Sequence, residues 1–210
     1  MLDFMRAPFP IGSTTLLRWL MPGVALAVAY GVMSLSGTQL PQPSLKTAEL
    51  VGRQLYEQSV HPARAPSLAF RKARQAAIAA LPKLDSSKYH FEVISNLAGD
   101  GLLVYALAYS NDADKVVLGV HYRVAVSHDG TTVKSVEPLS RSALIVSKSQ
   151  SIPRGATPGS PWTINLISPT PLEPYVYLSL LHHVPIYVGT PGHTIWKVDG
   201  TQISTVRNAR

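Results

Sequence analysis

Residues 89–126, YHFEVISNLAGDGLLVYALAYSNDADKVVLGVHYRVAV, are the part of the chain that decides the fold. Over most of this stretch apolar side chains recur at every second position, which is the period of a β-strand and not of a helix. Turn-forming sequences interrupt the alternation at 98–101 and 111–114. Three strands in succession, joined by short turns, predict an antiparallel sheet.

The middle strand of this stretch, at 102–110, is apolar on both faces, which predicts a central position in the sheet. Residues 116–126 predict one long strand with an apolar even-numbered face. The opposite face of that strand carries His121 and Arg123. His128-Asp129-Gly130 then predicts a hairpin turn, and further strands are expected at 131–136 and 143–147.

Helical periodicity precedes the strands. A first helix is predicted over 47–59, and Ser67 is the predicted N-cap of a second helix that ends near Leu81. Alanines give the second helix a small-residue face, which suits close packing on a sheet.

A third helix is predicted after the strands. The sequence Thr170-Pro171-Leu172-Glu173 predicts a capping box with proline at the first helical position, and Pro185 ends the helix. Short strands are expected at 162–167, 186–188, 194–198 and 201–206.

The predicted fold class is α+β, with an N-terminal membrane helix followed by two or three helices packed on a mainly antiparallel sheet. The order of elements resembles that of cystatin-like and NTF2-like modules. The resemblance is one of layout alone, because no residue motif accompanies it.

The segment from Trp19 to Leu35 contains no charged residue. As a helix it spans roughly 26 Å, near the lower limit for crossing the hydrocarbon of a bilayer. Arg18 precedes the segment, and the first positive charge after it is Lys46. This asymmetry predicts a cytoplasmic N-terminus and an exported remainder.

A cleaved signal peptide is the alternative interpretation of this segment. Ala27-Val28-Ala29 and Ser34-Leu35-Ser36 both fit the small-residue cleavage pattern. The long leader, which contains Asp3 and Pro8, favours an uncleaved anchor. The predicted location is the bacterial inner membrane, single-pass, with the C-terminal domain in the periplasm; cleavage would make the protein soluble and periplasmic.

The chain is 210 residues long and divides into five predicted segments. They are a cytoplasmic leader (1–18), a transmembrane anchor or signal segment (19–37), a proline-rich tether (38–44), a single exported α+β domain (45–206) and a frayed tail (207–210). The chain has no cysteine, so disulfides, thiolate chemistry and lipoprotein acylation are excluded.

The charge balance is basic, with 19 Lys and Arg against 12 Asp and Glu. Part of the excess lies between residues 46 and 88, where it suits anionic lipid headgroups or an acidic partner, although a solvated helix surface is the simpler interpretation. No nucleic acid partner is predicted, because export removes the usual target.

Motifs of the common enzyme classes are missing from the sequence. It contains no glycine-rich phosphate loop, no G-x-G-x-x-G and no G-x-S-x-G. Candidate metal ligands are His182, His183 and His193, with Glu173 or Asp199 as the carboxylate. Adjacent histidines at a helix end do not easily share one ion, and an interaction with the helix dipole is favoured. We therefore predict no metal and no cofactor.

Two classes of function stay open. The favoured one is a non-enzymatic binding or accessory protein with a protein partner in the envelope, either within an envelope complex or as an immunity protein against an antagonistic enzyme. Candidate contacts are His121, Arg123, His193 and Arg154, the last in an irregular loop at 147–161. The alternative is an envelope hydrolase acting on cell wall or lipid, built from His121, Arg123, Glu92 and His193. The oligomeric state is not predicted.

Overall fold

A computed structural model describes residues 44–62, 65–81, 83–141, 143–148 and 160–206. The helices are α1 (Leu45–Val60), α2 (Leu68–Ala80) and α3 (Glu173–His182), with a 3-10 turn at Ser86–Lys88. The strands are β1 (Tyr89–Ser95), β2 (Leu102–Ala108), β3 (Lys115–Val117), β4 (Tyr122–Val126), β5 (Val133–Pro138), β6 (Ile145–Ser147), β7 (Trp162–Ile164), β8 (Ile186–Thr190), β9 (Thr194–Asp199) and β10 (Gln202–Thr205). The predicted α+β class is confirmed.

Several predicted segments lie outside the described residues: the leader at 1–18, the membrane segment at 19–37, residues 38–43 of the tether, residues 149–159 of the irregular loop, and the tail at 207–210. Within the described ranges, no helix combines the length and the apolar character needed to cross a bilayer.

The strands form three sheets. The first is antiparallel in the order β1-β2-β4-β5, and the second has the order β10-β9-β8-β7, in which β7 runs parallel to β8. A small third sheet pairs β3 with β6. Every residue of β2 is buried, which confirms the central position predicted from its two apolar faces.

Helices cover both faces of the first sheet. On one face, Ala73 and Ala77 of α2 pack in a cluster with Phe91 and Val93 of β1. Side chains of α1, α3 and the second sheet form the core on the opposite face. The predicted N-cap of α2 is confirmed, because Ser67 Oγ accepts a hydrogen bond from the Phe70 N–H at 3.2 Å.

The helices α1 and α3 cross in close contact at Gly52. A Cβ atom at this position would lie 2.4 Å from Val176 Cβ and 2.7 Å from the Glu173 carbonyl oxygen. Only glycine allows this approach, which brings the first turn of α3 over the first sheet.

The prediction of one long strand at 116–126 is wrong. The chain breaks between β3 and β4, where Val120 takes a φ of 55°. Because of the break, even-numbered residues before and after it face opposite ways. Val116 lies in the core beneath α1 and α3, whereas Val124 packs toward α2. Period-2 alternation continues through the break, so the sequence pattern did not reveal it.

The capping box predicted at 170–173 is also wrong. Helix α3 begins at Glu173, its N-cap is Leu172, and no side chain caps the first turn. The Glu173 carboxylate instead turns into the protein interior, where it meets a buried arginine.

Candidate functional site

A row of polar side chains crosses the first sheet from edge to edge. The strand register pairs Glu92 with Tyr105, Tyr105 with Arg123, and Arg123 with Glu137. Directly opposed residues on neighbouring strands share a face of the sheet. These four residues, here called the polar row, therefore lie on the face that is covered by α1 and α3.

Arg123 is the centre of the polar row. Its Nη1 donates to Glu173 Oε1 at 2.6 Å, and its Nη2 and Nε donate to Glu137 Oε2 at 2.8 and 3.1 Å. The side chains of Arg123 and Glu173 are only 4% and 2% exposed. Burial by itself would lower the pKa of the guanidinium, but the carboxylates of Glu173 and Glu137 outweigh it and raise that pKa.

Tyr105 completes this contact, since its hydroxyl donates to Glu173 Oε1 at 3.0 Å. Burial, followed by the charge of Glu173, raises the pKa of Tyr105 well above its ordinary value, so the phenol stays protonated. Glu173 Oε2 is buried and has no hydrogen-bond partner among the described residues. The contacts of Arg123 and Tyr105 with Glu173 are buried from solvent, and they connect the first residue of α3 to the first sheet.

His121 is held by the backbone. Its Nδ1 accepts from the Ala108 N–H at 3.0 Å, and its Nε2 lies 3.1 Å from the Val117 carbonyl oxygen. An imidazole that accepts at Nδ1 and donates at Nε2 is neutral. Burial lowers the pKa of His121 to about 4, which agrees with this state. The His121 side chain therefore connects the backbone of β2 to the end of β3, and so stabilises the break between β3 and β4.

A cleft of about 520 Å³ runs along the outer edge of β1, and we call it the β1 groove. Its lining residues come from α1, the α1–α2 connection, α2 and β1: Gln58, Pro62, Ala65, Pro66, Ser67, Phe70, Arg71, Arg74, His90, Phe91, Glu92 and Val93. Side chains from both faces of β1 line it, so the groove must lie beyond the edge of the sheet.

The α2 wall of the groove is aromatic and positively charged. The Arg74 guanidinium carbon lies 6.0 Å from the centre of the Phe91 ring, within cation–π distance. Arg71 Nη1 donates to the Pro66 carbonyl oxygen at 2.7 Å. Within the described part of the chain, Arg74 makes no ion pair shorter than 4.0 Å, so its charge faces the groove without a carboxylate in contact.

The β1 side of the groove carries two titratable groups. Burial raises the pKa of Glu92 to about 6, although the charge of Arg74 opposes this shift. Burial and then Arg74 lower the pKa of His90, whose ring stacks on Tyr109 with centres 4.2 Å apart. Glu92 is thus the end of the polar row that reaches the groove.

A second cleft, of about 440 Å³, lies between the β5–β6 connection and the segment around β7. Apolar side chains such as Trp162, Ile164 and Leu166 line it, and Leu166 is 54% exposed. Asn165 also lines this cleft, and its Nδ2 is buried without a hydrogen-bond partner among the described residues. It is a distinct surface, since none of its lining residues belongs to the β1 groove.

The four candidate contact residues occupy different places. His121 and Arg123 are 2% and 3% exposed and contact the interior, and neither lines the β1 groove. His193 is exposed in the β8–β9 turn with a φ of 61°. Arg154 lies outside the described residues. Glu92 and Arg123 do share the polar row, whereas His193 belongs to the second sheet.

The two carboxylates that are candidate metal ligands are each paired with a cationic side chain. Glu173 pairs with Arg123, and Asp199 Oδ2 lies 2.7 Å from Lys197 Nζ. Within the described ranges, no group of three or more His, Cys, Asp or Glu residues is placed to hold a metal ion. Burial, with the charges of Lys148 and His183, lowers the pKa of His182, so any gain from the helix dipole does not dominate there.

Sequence reasoning missed Tyr105, Glu137 and Glu173 as partners of Arg123. Glu92 and Glu137 had no visible reason to be connected, because only the strand register puts them in one row. One signal for the groove was present: Phe70, Arg71 and Arg74 recur at helical spacing on one side of α2.

Comparison with protein families, with curated proteins and with solved structures finds no match for this chain.

Proposed function

We propose that residues 45–206 are a non-enzymatic binding or accessory module of the bacterial envelope, held at the outer face of the inner membrane by residues 19–37. The observation that carries the binding role is the β1 groove. It offers a partner apolar surface from Phe70 and Phe91, together with positive charge from Arg74. A surface that combines apolar walls with convergent polar and charged groups is typical of binding sites.

The polar side chains suggested for catalysis support a structural role instead. Both ring nitrogens of His121 are bonded to backbone groups, and Arg123 is bonded to two carboxylates. Among the described residues, no serine or threonine hydroxyl is hydrogen-bonded to His90 or Glu92. Among its described residues, the groove therefore shows no hydroxyl nucleophile paired with a base, which covalent hydrolysis by a serine or threonine requires.

The partner of the proposed module is a protein of the envelope. Stabilising a complex and neutralising an antagonistic enzyme both need a complementary surface and no chemistry. Residues 45–206 carry 15 Lys and Arg against 11 Asp and Glu. This positive excess favours an acidic partner, because opposite charge speeds encounter.

Photo-crosslinking in intact cells tests the binding role. A photoreactive amino acid replaces Arg71 in the groove, Leu166 in the second cleft, or the exposed Lys134 on β5. A protein adduct at Arg71 or Leu166, without one at Lys134, is the expected result. If neither Arg71 nor Leu166 gives a protein adduct, the binding role is wrong.

A topology reporter tests the location. Alkaline phosphatase fused after Val206 is active only when it is exported, and we expect activity in the membrane fraction. Activity in the soluble periplasmic fraction would indicate cleavage of the leader. An inactive, cytosolic fusion would contradict the proposed placement.

An envelope hydrolase is the second candidate function, and one observation favours it. Glu92 lies in the groove with a pKa of about 6, which suits a general acid or base near neutral pH. The purified full-length protein would then degrade peptidoglycan or phospholipid vesicles, and Glu92→Gln would abolish the activity. We expect no turnover from either protein.

A further inference from the structure

Backbone groups along the edge strand β1 alternate between residues that bond to β2 and residues whose N–H and C=O point away from the sheet. The Tyr109 N–H donates to the Lys88 carbonyl oxygen at 3.2 Å, and the Asn96 N–H donates to the Gly101 carbonyl oxygen at 3.0 Å. Antiparallel pairs alternate between bonded and non-bonded positions. Residues 90, 92 and 94 therefore bond to β2, whereas the N–H and C=O groups of 89, 91, 93 and 95 point away from the sheet.

Two of the outward-pointing residues, Phe91 and Val93, line the β1 groove. Within the described residues, no hydrogen bond is made by their outward backbone groups. The strand, YHFEVIS, also contains no lysine and no proline, which are the residues that commonly protect an exposed edge. An edge with unpaired outward backbone groups at the floor of a groove is a template for another strand.

From this edge we infer that the β1 groove binds an extended, acidic segment of a partner protein, which adds to the first sheet alongside β1 and places a carboxylate on Arg74. The inference rests on the proposed binding function and specifies its ligand. In this mode of recognition the main chain supplies affinity, and alternate side chains supply specificity.

The shape of the groove favours a strand over a compact ligand. An added strand lies about 4.8 Å from its neighbour, which places it between the end of α1 and the first turns of α2. Side chains on one face of that strand would meet Phe70 and Phe91, as the lining of the groove indicates. A small carboxylate could reach Arg74, but it would leave the backbone groups of Val93 unpaired.

The charges around the groove indicate where an acidic side chain would lie. Arg71 and Arg74 belong to α2 and face the side of β1 that carries Phe91, whereas Glu92 points to the opposite face. An incoming carboxylate on the α2 side therefore meets two guanidinium groups. The bound segment needs an apolar or neutral side chain on the other side, next to Glu92.

Selection from a displayed library of short random peptides tests this inference on the purified full-length protein in detergent. We expect the selected peptides to combine β-branched residues with an Asp or Glu. Arg74→Gln should weaken their binding about tenfold, the cost of one charge-assisted hydrogen bond. Arg53→Gln is the matched control, because Arg53 lies on α1 outside the groove and pairs with Glu57 at 3.8 Å.

A second pair of variants tests the backbone contact. Val93→Pro removes the outward N–H without removing a bond to β2, because proline is tolerated where the N–H of an edge strand faces outward. Val93→Ala trims the same side chain and keeps the N–H. We expect the proline variant to lose binding and the alanine variant to keep it, with circular dichroism showing that both are folded.

Hydrogen exchange covers the case in which Val93→Pro fails to fold. Peptide binding to the unmodified protein should slow exchange of the Phe91 and Val93 amides. The inference is wrong if these amides are unaffected, if selected peptides lack acidic residues or bind as helices, or if acetate alone competes fully with them. It also fails, while the binding function stands, if cells give crosslinks at Leu166 and none at Arg71; with no protein adduct at either site, both fail.

Discussion

Arg123 and Glu173 lie 50 positions apart in the sequence, and the guanidinium of one donates to the carboxylate of the other at 2.6 Å in the protein interior. The contact joins strand β4 to the first residue of α3. The N-cap of α3 is Leu172, whose side chain cannot accept a hydrogen bond, and Glu173, the only acidic residue of the first turn, is bonded inside the protein.

Replacing Glu173 with glutamine should lower the free energy of unfolding by about 2 kcal/mol, because it removes a buried charge-assisted hydrogen bond from Arg123 Nη1, while Glu137 still pairs with the guanidinium. Urea denaturation monitored by circular dichroism measures the change. Tyr105→Phe is the control, since it removes one neutral donor to the same carboxylate and should cost about 1 kcal/mol. A loss below 1 kcal/mol for Glu173→Gln would show that the ion pair is not structural.

His121 should make stability fall as the pH falls. Its pKa is about 4 in the folded protein, below the ordinary value of 6.5. Between these values the unfolded chain binds a proton and the folded chain does not, so the free energy of unfolding decreases by about 3 kcal/mol from pH 6.5 to pH 4. Denaturation series across this range should show the slope, and His121→Gln should remove it.

The ionisation of Glu92 changes stability with pH in the opposite direction to His121, and the same denaturation series tests it. Its folded pKa of about 6 lies above the ordinary 4.5, so its contribution is present below pH 4.5 and is lost as the pH rises through 6. Its partial exposure keeps the effect smaller than that of His121. In a Glu92→Gln background the net fall in stability with falling pH should become steeper, because the opposing contribution of Glu92 is gone. An unchanged slope would mean that the carboxyl is not perturbed.

Gly52→Ala should destabilise the protein, although alanine is by itself about 1 kcal/mol better than glycine in a helix. The new methyl group would overlap Val176 and the Glu173 backbone, and overpacking of this kind costs about 1–3 kcal/mol or more. Gly99→Ala is the control, because its Cβ would make only one ordinary contact, 3.6 Å from Asn96. Thermal melting should show a clear loss for the first variant and almost none for the second.

Val120→Asn should stabilise the protein or leave it unchanged. A β-branched residue at a φ of 55° is strained, whereas asparagine tolerates the left-handed region, and relief is worth about 1 kcal/mol. Val116→Asn, at a buried position of β3, should be strongly destabilising. Equal losses for the two variants in chemical denaturation would contradict the assignment of strain to position 120.

The predictions that held for the fold depended on local pattern. The N-cap at Ser67 and the central, fully buried β2 followed from residue type and period alone. The prediction of one long strand at 116–126 failed because an alternating sequence pattern gives no sign that a single residue, here Val120, takes a left-handed backbone conformation. The capping box at 170–173 failed because α3 begins at Glu173, so that Thr170 lies before its N-cap, and the Glu173 carboxylate is bonded to Arg123.

The candidate site was less predictable than the fold. His121 and Arg123 were predicted as ligand or partner contacts, whereas their burial and their hydrogen-bond partners depend on β2, β5 and α3. The β1 groove was not foreseen, because its walls come from α1, α2 and β1 and its floor is a row of backbone groups.

The sequence by itself determined the α+β class, the order of the helices and most strands, and the absence of thiol chemistry, since these depend on residue type and on spacing along the chain. Only the tertiary structure decided which charges neutralise one another and which edge is left open. Both depend on strand register and on the packing of helices against the sheet. Arg123 and Glu173, for example, are 50 positions apart in the sequence, and no local sequence pattern indicates that their side chains meet.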